Sequence, residues 1–228
     1  MVNKKQFAAM QDHSILGTYC PRADVERFCK EALEYGFASV YVNPSYVKLV
    51  KSILGDKCGV GTVIGFPQGA TTTACKIFEA LEAVDNGANE LDIVINVSRL
   101  KDGDTDYVRN ELSEFVTAVK AKDPKTIIKV IIECHYLTHQ EKIAATEIVA
   151  ETGCDYVKQA TGTTPNWSYT MGDVKLLKAV AAGRCKVKAS GWIMNIEDAV
   201  GCAELADRIG NSLAVQWLEE FDENRWYD

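Results

Sequence analysis

Asp155-Tyr156-Val157-Lys158-Gln159-Ala160-Thr161-Gly162 is the stretch on which the fold turns. Tyr156 and Val157 have the β-propensity of a short buried strand, and Gly162 marks the passage into a loop. Lys158 stands between them, and an ammonium is seldom taken out of water without a partner or a task. A second run has the same shape: Cys185-Lys186-Val187-Lys188-Ala189-Ser190-Gly191 also ends an apolar strand on a lysine just before a glycine. Two such strands, each carrying an amine to the same end, predict a site in which one amine tunes the other.

Outward from these runs, short apolar segments alternate with amphipathic ones. Strands are predicted at 14–16, 39–42, 61–64, 90–95, 127–133, 155–159, 186–189 and 208–209. Between them lie helical patterns at 24–35, 108–122, 140–151, 171–182, 197–205 and 214–221, together with one that starts from Thr71-Thr72-Thr73 and runs through Val84. In the first, Val25, Phe28, Cys29, Ala32 and Leu33 form a one-sided stripe, and Gly36 stops it. The three threonines offer N-caps. Eight strands alternating with helices predict a parallel sheet. Eight is also the number that closes a (β/α)8 barrel, and 228 residues suit one TIM-barrel domain spanning 1–228. A doubly wound open sheet competes, but no Gly-x-Gly-x-x-Gly follows an early strand.

Composition narrows the function. With 47% hydrophobic and 25% charged residues the chain is globular. A net charge of −7 speaks against binding nucleic acid or an anionic membrane, although it leaves room for a small basic pocket. The eight cysteines form no Cys-x-x-Cys pair and several sit in apolar runs, where a thiol behaves as a small hydrophobe. The N-terminal Met1-Val2-Asn3-Lys4-Lys5-Gln6 lacks a signal peptide's apolar core. No apolar run approaches the roughly 18 residues that span a bilayer. A cytoplasmic protein with reduced thiols is expected.

In a barrel, the C-terminal ends of the strands converge on one mouth. In order, they offer Asp12 near the first, Asn43-Pro44, Gly65-Phe66-Pro67, Asp92 within the apolar fourth strand, Glu133, Lys158, Lys188 and Gly210-Asn211-Ser212. Asp92 could face solvent, but Leu91, Ile93 and Val94 suit a strand covered on both faces, and a buried acid needs a partner. An unperturbed lysine titrates near 10.4, so only about 0.04% is free amine at pH 7. Lowering that pKa to about 7 needs roughly 4–5 kcal/mol of bias against the charged form, and both desolvation and a second ammonium push that way. Lys188 beside Lys158, with Asp92 moving protons, therefore fits Schiff-base chemistry better than metal chemistry.

At this point the sequence resembles the 2-deoxyribose-5-phosphate aldolase family over nearly its whole length. The resemblance is carried by Ala38-Ser39-Val40-Tyr41-Val42-Asn43-Pro44, Gly61-Thr62-Val63-Ile64-Gly65-Phe66-Pro67 with Gly69-Ala70-Thr71-Thr72-Thr73, and Gly87-Ala88-Asn89-Glu90-Leu91-Asp92-Ile93-Val94-Ile95-Asn96. It continues through Lys129-Val130-Ile131-Ile132-Glu133, Val157-Lys158 with Thr161-Gly162, Val187-Lys188-Ala189-Ser190-Gly191 and Arg208-Ile209-Gly210. It implies a class I aldolase on a (β/α)8 barrel that reversibly cleaves deoxyribose 5-phosphate to acetaldehyde and glyceraldehyde 3-phosphate. In that reading Lys158 forms the Schiff base, Lys188 lowers its pKa, and Asp92 shuttles protons. Asp12, Thr161, Gly162, Gly191, Gly210 and Ser212 line the substrate pocket. No metal or organic cofactor is implied, and the partners are small molecules. Assembly stays open, with a homodimer as one option.

The departures from the family pattern cluster at the phosphate loops. Where the family has Ser-Gly-Gly-Ile-Arg, this chain has Ser190-Gly191-Trp192-Ile193-Met194, and after the last strand it has Gly210-Asn211-Ser212-Leu213. An indole in place of a glycine crowds the approach of an anion, and loss of an arginine removes a bidentate clamp. Either Trp192 points away and phosphate binding survives, or the substrate's tail is smaller, neutral or more apolar. Gly191, Gly210, Ser212 and the helix start that follows could still hold an anion weakly. Thr163-Thr164-Pro165-Asn166-Trp167 and Cys134-His135-Tyr136 also depart from the pattern, and Tyr41 stands where the family often has cysteine. His135 and His139 could share a metal only if one helix carried both. A non-catalytic sugar-binding barrel is the rival of another class.

Overall fold

The computed structural model describes residues 2–164 and 170–223. Eight parallel strands, β1 (Gln11–Ile15), β2 (Ser39–Val42), β3 (Gly59–Ile64), β4 (Glu90–Val94), β5 (Ile127–Ile131), β6 (Tyr156–Lys158), β7 (Lys186–Ser190) and β8 (Arg208–Asn211), close into one barrel in sequence order. Ten α-helices are present among the described residues: α1 (Lys4–Ala8), α2 (Arg22–Tyr35), α3 (Val47–Leu54), α4 (Thr73–Asp85), α5 (Val97–Lys101), α6 (Thr105–Lys122), α7 (His139–Glu151), α8 (Met171–Ala181), α9 (Ile196–Leu205) and α10 (Ala214–Glu220). Thr72 caps α4, its side chain accepting from the Cys75 N–H, and Gly36 ends α2 in the left-handed conformation at φ 72°.

Side chains along a strand alternate between two faces. Val40 and Val42, Leu91 and Ile93, Ile128 and Val130, Val157, Val187, Ala189 and Ile209 belong to the apolar core that packs strands against helices. The positions between them face into the barrel: Asp12, Ser39, Tyr41, Glu90, Asp92, Lys129, Lys158, Lys188 and Arg208. Barrel interiors are usually filled by branched aliphatics; this one is filled by ions. The register brings them level, with Asp92 beside Lys129 on β4 and β5, and Lys158 beside Lys188 on β6 and β7.

Room for long interior side chains comes from glycines. A Cβ on Gly61 would stand 2.5 Å from the ring of Tyr41, which is wholly buried. Gly61→Ala is therefore expected to destabilise the fold by about 1–3 kcal/mol through overpacking, roughly 2–12 °C in Tm for a chain of this size. Thermal denaturation would measure it, and an unchanged Tm would contradict this packing.

The first strand differs from the sequence expectation. It runs from Gln11 rather than from 14, because its polar residues are satisfied inside the protein. Gln11 Nε2 donates to the Phe7 carbonyl at 2.7 Å, and His13 stacks on Phe28. The shift carries Asp12 from the mouth into the interior.

Candidate active site

Asp92 is the hub. It lies in the middle of β4, between Leu91 and Ile93, which face the helices, so its carboxylate points into the barrel. Its Oδ2 accepts hydrogen bonds from Lys158 Nζ and Lys188 Nζ, both at 2.8 Å, while its Oδ1 has no hydrogen-bond partner. All three side chains are buried. Lys188 is also 2.7 Å from Asp12 Oδ2 and lies over the Tyr41 ring at 3.9 Å. The close approach of β8 makes this placement feasible, since a Cβ on Gly210 would stand 2.8 Å from Lys188 Cε.

Beneath this tier lies a second one. Asp12 Oδ1 accepts from Ser39 Oγ at 2.7 Å and from Arg208 Nη1 at 2.9 Å, and its Oδ2 accepts from Lys129 Nζ at 2.8 Å. Lys129 also donates to Tyr41 Oη at 2.9 Å and to Glu90. Within this network three carboxylates (Asp12, Glu90, Asp92) meet four cations (Lys129, Lys158, Lys188, Arg208). One positive charge is in excess, so an interior of low dielectric favours the loss of a proton from an amine.

The acid–base properties follow. Burial pushes the Asp12 carboxyl up, but Lys129, Lys188 and Arg208 outweigh it and hold it well below the usual carboxylate range. Asp92 behaves in the same way: burial raises it, and Lys158, Lys188 and Lys129 bring it down to about 2. Both acids are therefore permanent anions. Burial also depresses Lys129, but Asp12, Glu90 and Asp92 reverse the effect and hold it above its ordinary range. Lys188 goes the other way. Desolvation lowers it to about 8, the pull of Asp12 and Asp92 notwithstanding, and the ammoniums of Lys158 and Lys129 add to the depression. Lys188 is thus an amine poised to accept and return a proton near neutral pH.

Above the hub opens a cavity of about 500 Å³. Lys158 reaches its floor and is the one Lys, Arg, Asp, Glu or His among the lining residues; Lys188 and Asp92 stay behind it. Thr161, Gly162, Gly191, Gly210 and Ser212 all line the cavity. Asp12 does not. Its carboxylate lies in the lower tier, where it serves as the counter-ion of Lys129, Lys188 and Arg208. The loop after β6 is held from two sides, since Thr161 N–H donates to Glu133 Oε2 at 3.0 Å and Ser190 Oγ donates to the Ala160 carbonyl at 2.6 Å. Trp192 and Met194 also line the cavity, and both are exposed. Of the departing loop, Thr163 and Thr164 are described, whereas Pro165, Asn166 and Trp167 lie outside the described residues. His135 sits in a 3-10 turn and His139 opens α7, so no single helix presents both.

Lys129, Glu90 and Arg208 were not singled out by the sequence as site residues. A signal existed for the first two. Both are charged residues flanked by aliphatics on strands covered on both faces, and such a residue can only point into the barrel.

Comparison with known proteins places the chain. The family model described as DeoC/LacD family aldolase matches residues 3–212. The chain is 46% identical over 217 residues to the deoxyribose-phosphate aldolase of Thermoanaerobacter sp. (strain X514), covering 94% of this chain and 96% of that one. It is 44% identical over 221 residues to the deoxyribose-phosphate aldolase of Carboxydothermus hydrogenoformans, with 96% of each chain covered. Among solved structures, an aldolase named QR15 superposes with a TM-score of 0.87 at 40% identity, covering 97% of this chain and 96% of its own. A deoxyribose phosphate aldolase from Aeropyrum pernix, described as tetrameric, superposes with a TM-score of 0.88 at 29% identity, covering 98% of this chain and 94% of its own.

Proposed function

The chain belongs to the DeoC/LacD aldolase family, and on that premise we propose that it is a class I aldolase, a lyase that reversibly cleaves 2-deoxy-D-ribose 5-phosphate to acetaldehyde and glyceraldehyde 3-phosphate. The observation that carries this reading is the sharing of one carboxylate oxygen of Asp92 by two buried amines, of which only Lys158 opens onto the cavity. A proton passed to Lys188 leaves Lys158 with a lone pair. Lys158 Nζ attacks C1 of the open-chain sugar, and loss of water gives an iminium ion. The proton on O3 departs, the C2–C3 bond breaks, and its electrons flow to the iminium as an enamine, releasing glyceraldehyde 3-phosphate. Protonation of C2 and addition of water release acetaldehyde and regenerate the amine. Asp92, brought down to about 2 by Lys158, Lys188 and Lys129, stays ionised in this reading and holds both amines in register rather than shuttling protons as the sequence analysis expects, while Lys188 carries the proton that the cycle needs twice.

Thr161, Gly162, Gly191, Gly210 and Ser212 surround the substrate in this reading. The phosphate rests on backbone N–H groups and the Ser212 hydroxyl, because no arginine or lysine beyond Lys158 lines the cavity. The whole chain, 1–228, works as one domain, in the cytoplasm and with small-molecule partners. Support for the compartment is that all eight cysteines are free, and that no helix among the described residues is long and apolar enough to cross a membrane. A homodimer is the simplest assembly for it. The aldolase names of the relatives speak against a non-catalytic barrel.

The test is release of acetaldehyde from deoxyribose 5-phosphate, followed by coupling to alcohol dehydrogenase and NADH. Equal yields of acetaldehyde and glyceraldehyde 3-phosphate are expected. A protein that binds the sugar phosphate without releasing either would contradict the proposal.

A further inference from the structure

The outer half of the cavity has a chemistry that phosphate binding does not account for. Its walls carry Leu16, Tyr19, Phe66, Trp192, Met194 and Leu213, and no cation faces a ligand there. Tyr19 is 86% exposed, Met194 58% and Trp192 46%. Large side chains this open are unusual when they line one cavity together, and here they share it with Lys158, the one lysine among its lining residues. Trp192 also sits at φ 53°, in the left-handed region that disfavours residues with a Cβ. A strained backbone that presents an indole at the mouth of a site marks a position set by function rather than by folding. Nearby, α9 places Glu197 and Asp198 in its first turn, which opposes any anion drawn toward that helix.

We propose that this outer wall is a subsite for the uncharged, apolar tail of an acceptor aldehyde, with Trp192 and Met194 as its specificity-determining residues. Resting on the Schiff-base reading above, it assigns the acceptor preference of that same reaction to these two residues: acetaldehyde adds to an aliphatic or aryl-substituted aldehyde whose tail they cover. The enamine carbon on Lys158 attacks the carbonyl carbon of the acceptor, forming one C–C bond. The carbonyl π electrons take up the proton held by Lys188 and become a hydroxyl. Water then hydrolyses the iminium, releasing a β-hydroxy aldehyde and restoring the amine; this replaces the water lost when the iminium formed. No oxidant or cofactor enters the balance. The tail leaves water for the faces of Trp192, Tyr19 and Phe66, and that transfer favours the apolar acceptor.

The experiment compares kcat/KM for acetaldehyde addition to hexanal and to glyceraldehyde 3-phosphate in the wild type, in Trp192→Gly and in Met194→Arg. The wild type is expected to turn over hexanal. Trp192→Gly relieves the left-handed strain, so it should fold, and it should lower kcat/KM for hexanal by about tenfold relative to glyceraldehyde 3-phosphate, the size of effect that a lost apolar contact has on specificity. Met194→Arg should shift the same ratio further toward the phosphorylated acceptor. If hexanal is not an acceptor while glyceraldehyde 3-phosphate is, or if neither substitution moves the ratio, the subsite is refuted and the aldolase assignment stands. If hexanal is turned over and deoxyribose 5-phosphate is not cleaved, the subsite stands and the physiological substrate assigned above falls.

Discussion

Lys158→Met is expected to fold normally and to lose cleavage of deoxyribose 5-phosphate by on the order of 10⁴-fold or more, since the covalent route disappears with the amine. Methionine keeps much of the lysine's length and its apolar stem. The substitution also removes the one positive charge by which the interior network is out of balance, leaving Lys129, Lys188 and Arg208 against Asp12, Glu90 and Asp92. Asp92 keeps Lys188 at 2.8 Å, so no buried acid is left unpaired. Turnover measured beside thermal denaturation separates the two effects. An unfolded variant would mean that Lys158 is a structural ion. A folded variant that still cleaves the sugar at near wild-type rate would remove it from the mechanism.

Lys188→Met should lower kcat by about 10²–10⁴-fold, the range for loss of a positioned acid–base group. It should also change the pH dependence, which a merely structural residue would not do. With the Lys188 amine lowered to about 8, its proton-accepting form grows as pH rises. The wild-type rate should therefore climb through a limb near pH 8, and that limb should vanish in the variant. The sign for stability is the same. The unfolded lysine titrates near its ordinary value and the folded one near 8, so between those pH values the unfolded chain binds more protons and wild-type stability rises with pH. Lys188→Met should lack that rise. A variant that keeps both the limb and the stability slope would show that another group titrates near pH 8.

Much of this barrel was legible in the sequence, because strands covered on both faces write apolar runs and the helices between them write one-sided stripes. β2 and α2 show this best: Ser39–Val42 matches the predicted strand at both ends, and Gly36 stops α2 where its left-handed conformation requires. Legibility failed where polarity was satisfied internally. Gln11, Asp12 and His13 are all buried, yet hydropathy reads them as a loop, so β1 was placed too late and Asp12 too near the mouth. α3 carries a helical stripe, Val47, Val50 and Leu54 at i, i+3 and i+7, but it is short and follows β2 directly through a single 3-10 turn, so its start is masked in the sequence.

The active site divides in the same way. Lys158, Lys188 and Asp92 stood out as charges in apolar strands, and the structure brings both amines onto one carboxylate oxygen of Asp92. Lys129 and Glu90 carry the same signal and pair with each other across the adjacent strands β4 and β5, but both lie below the C-terminal strand ends where barrel chemistry is expected, and the link from Lys129 to Asp12 on β1 forms only when the barrel closes. The distinction between the two amines was likewise out of reach. Sequence predicts that both stand at strand ends; only the closed barrel shows that Lys158 opens to the cavity and Lys188 does not.

The central claim is that Lys158, and no other lysine, forms the covalent bond. Incubation with acetaldehyde and sodium borohydride, followed by intact-mass measurement and peptide mapping, tests it directly. The account predicts one reduced two-carbon adduct per chain, located on Lys158, and formed also from deoxyribose 5-phosphate. An adduct on Lys188 would reverse the roles of the two amines. Absence of any adduct under conditions that support turnover would contradict Schiff-base chemistry in this protein.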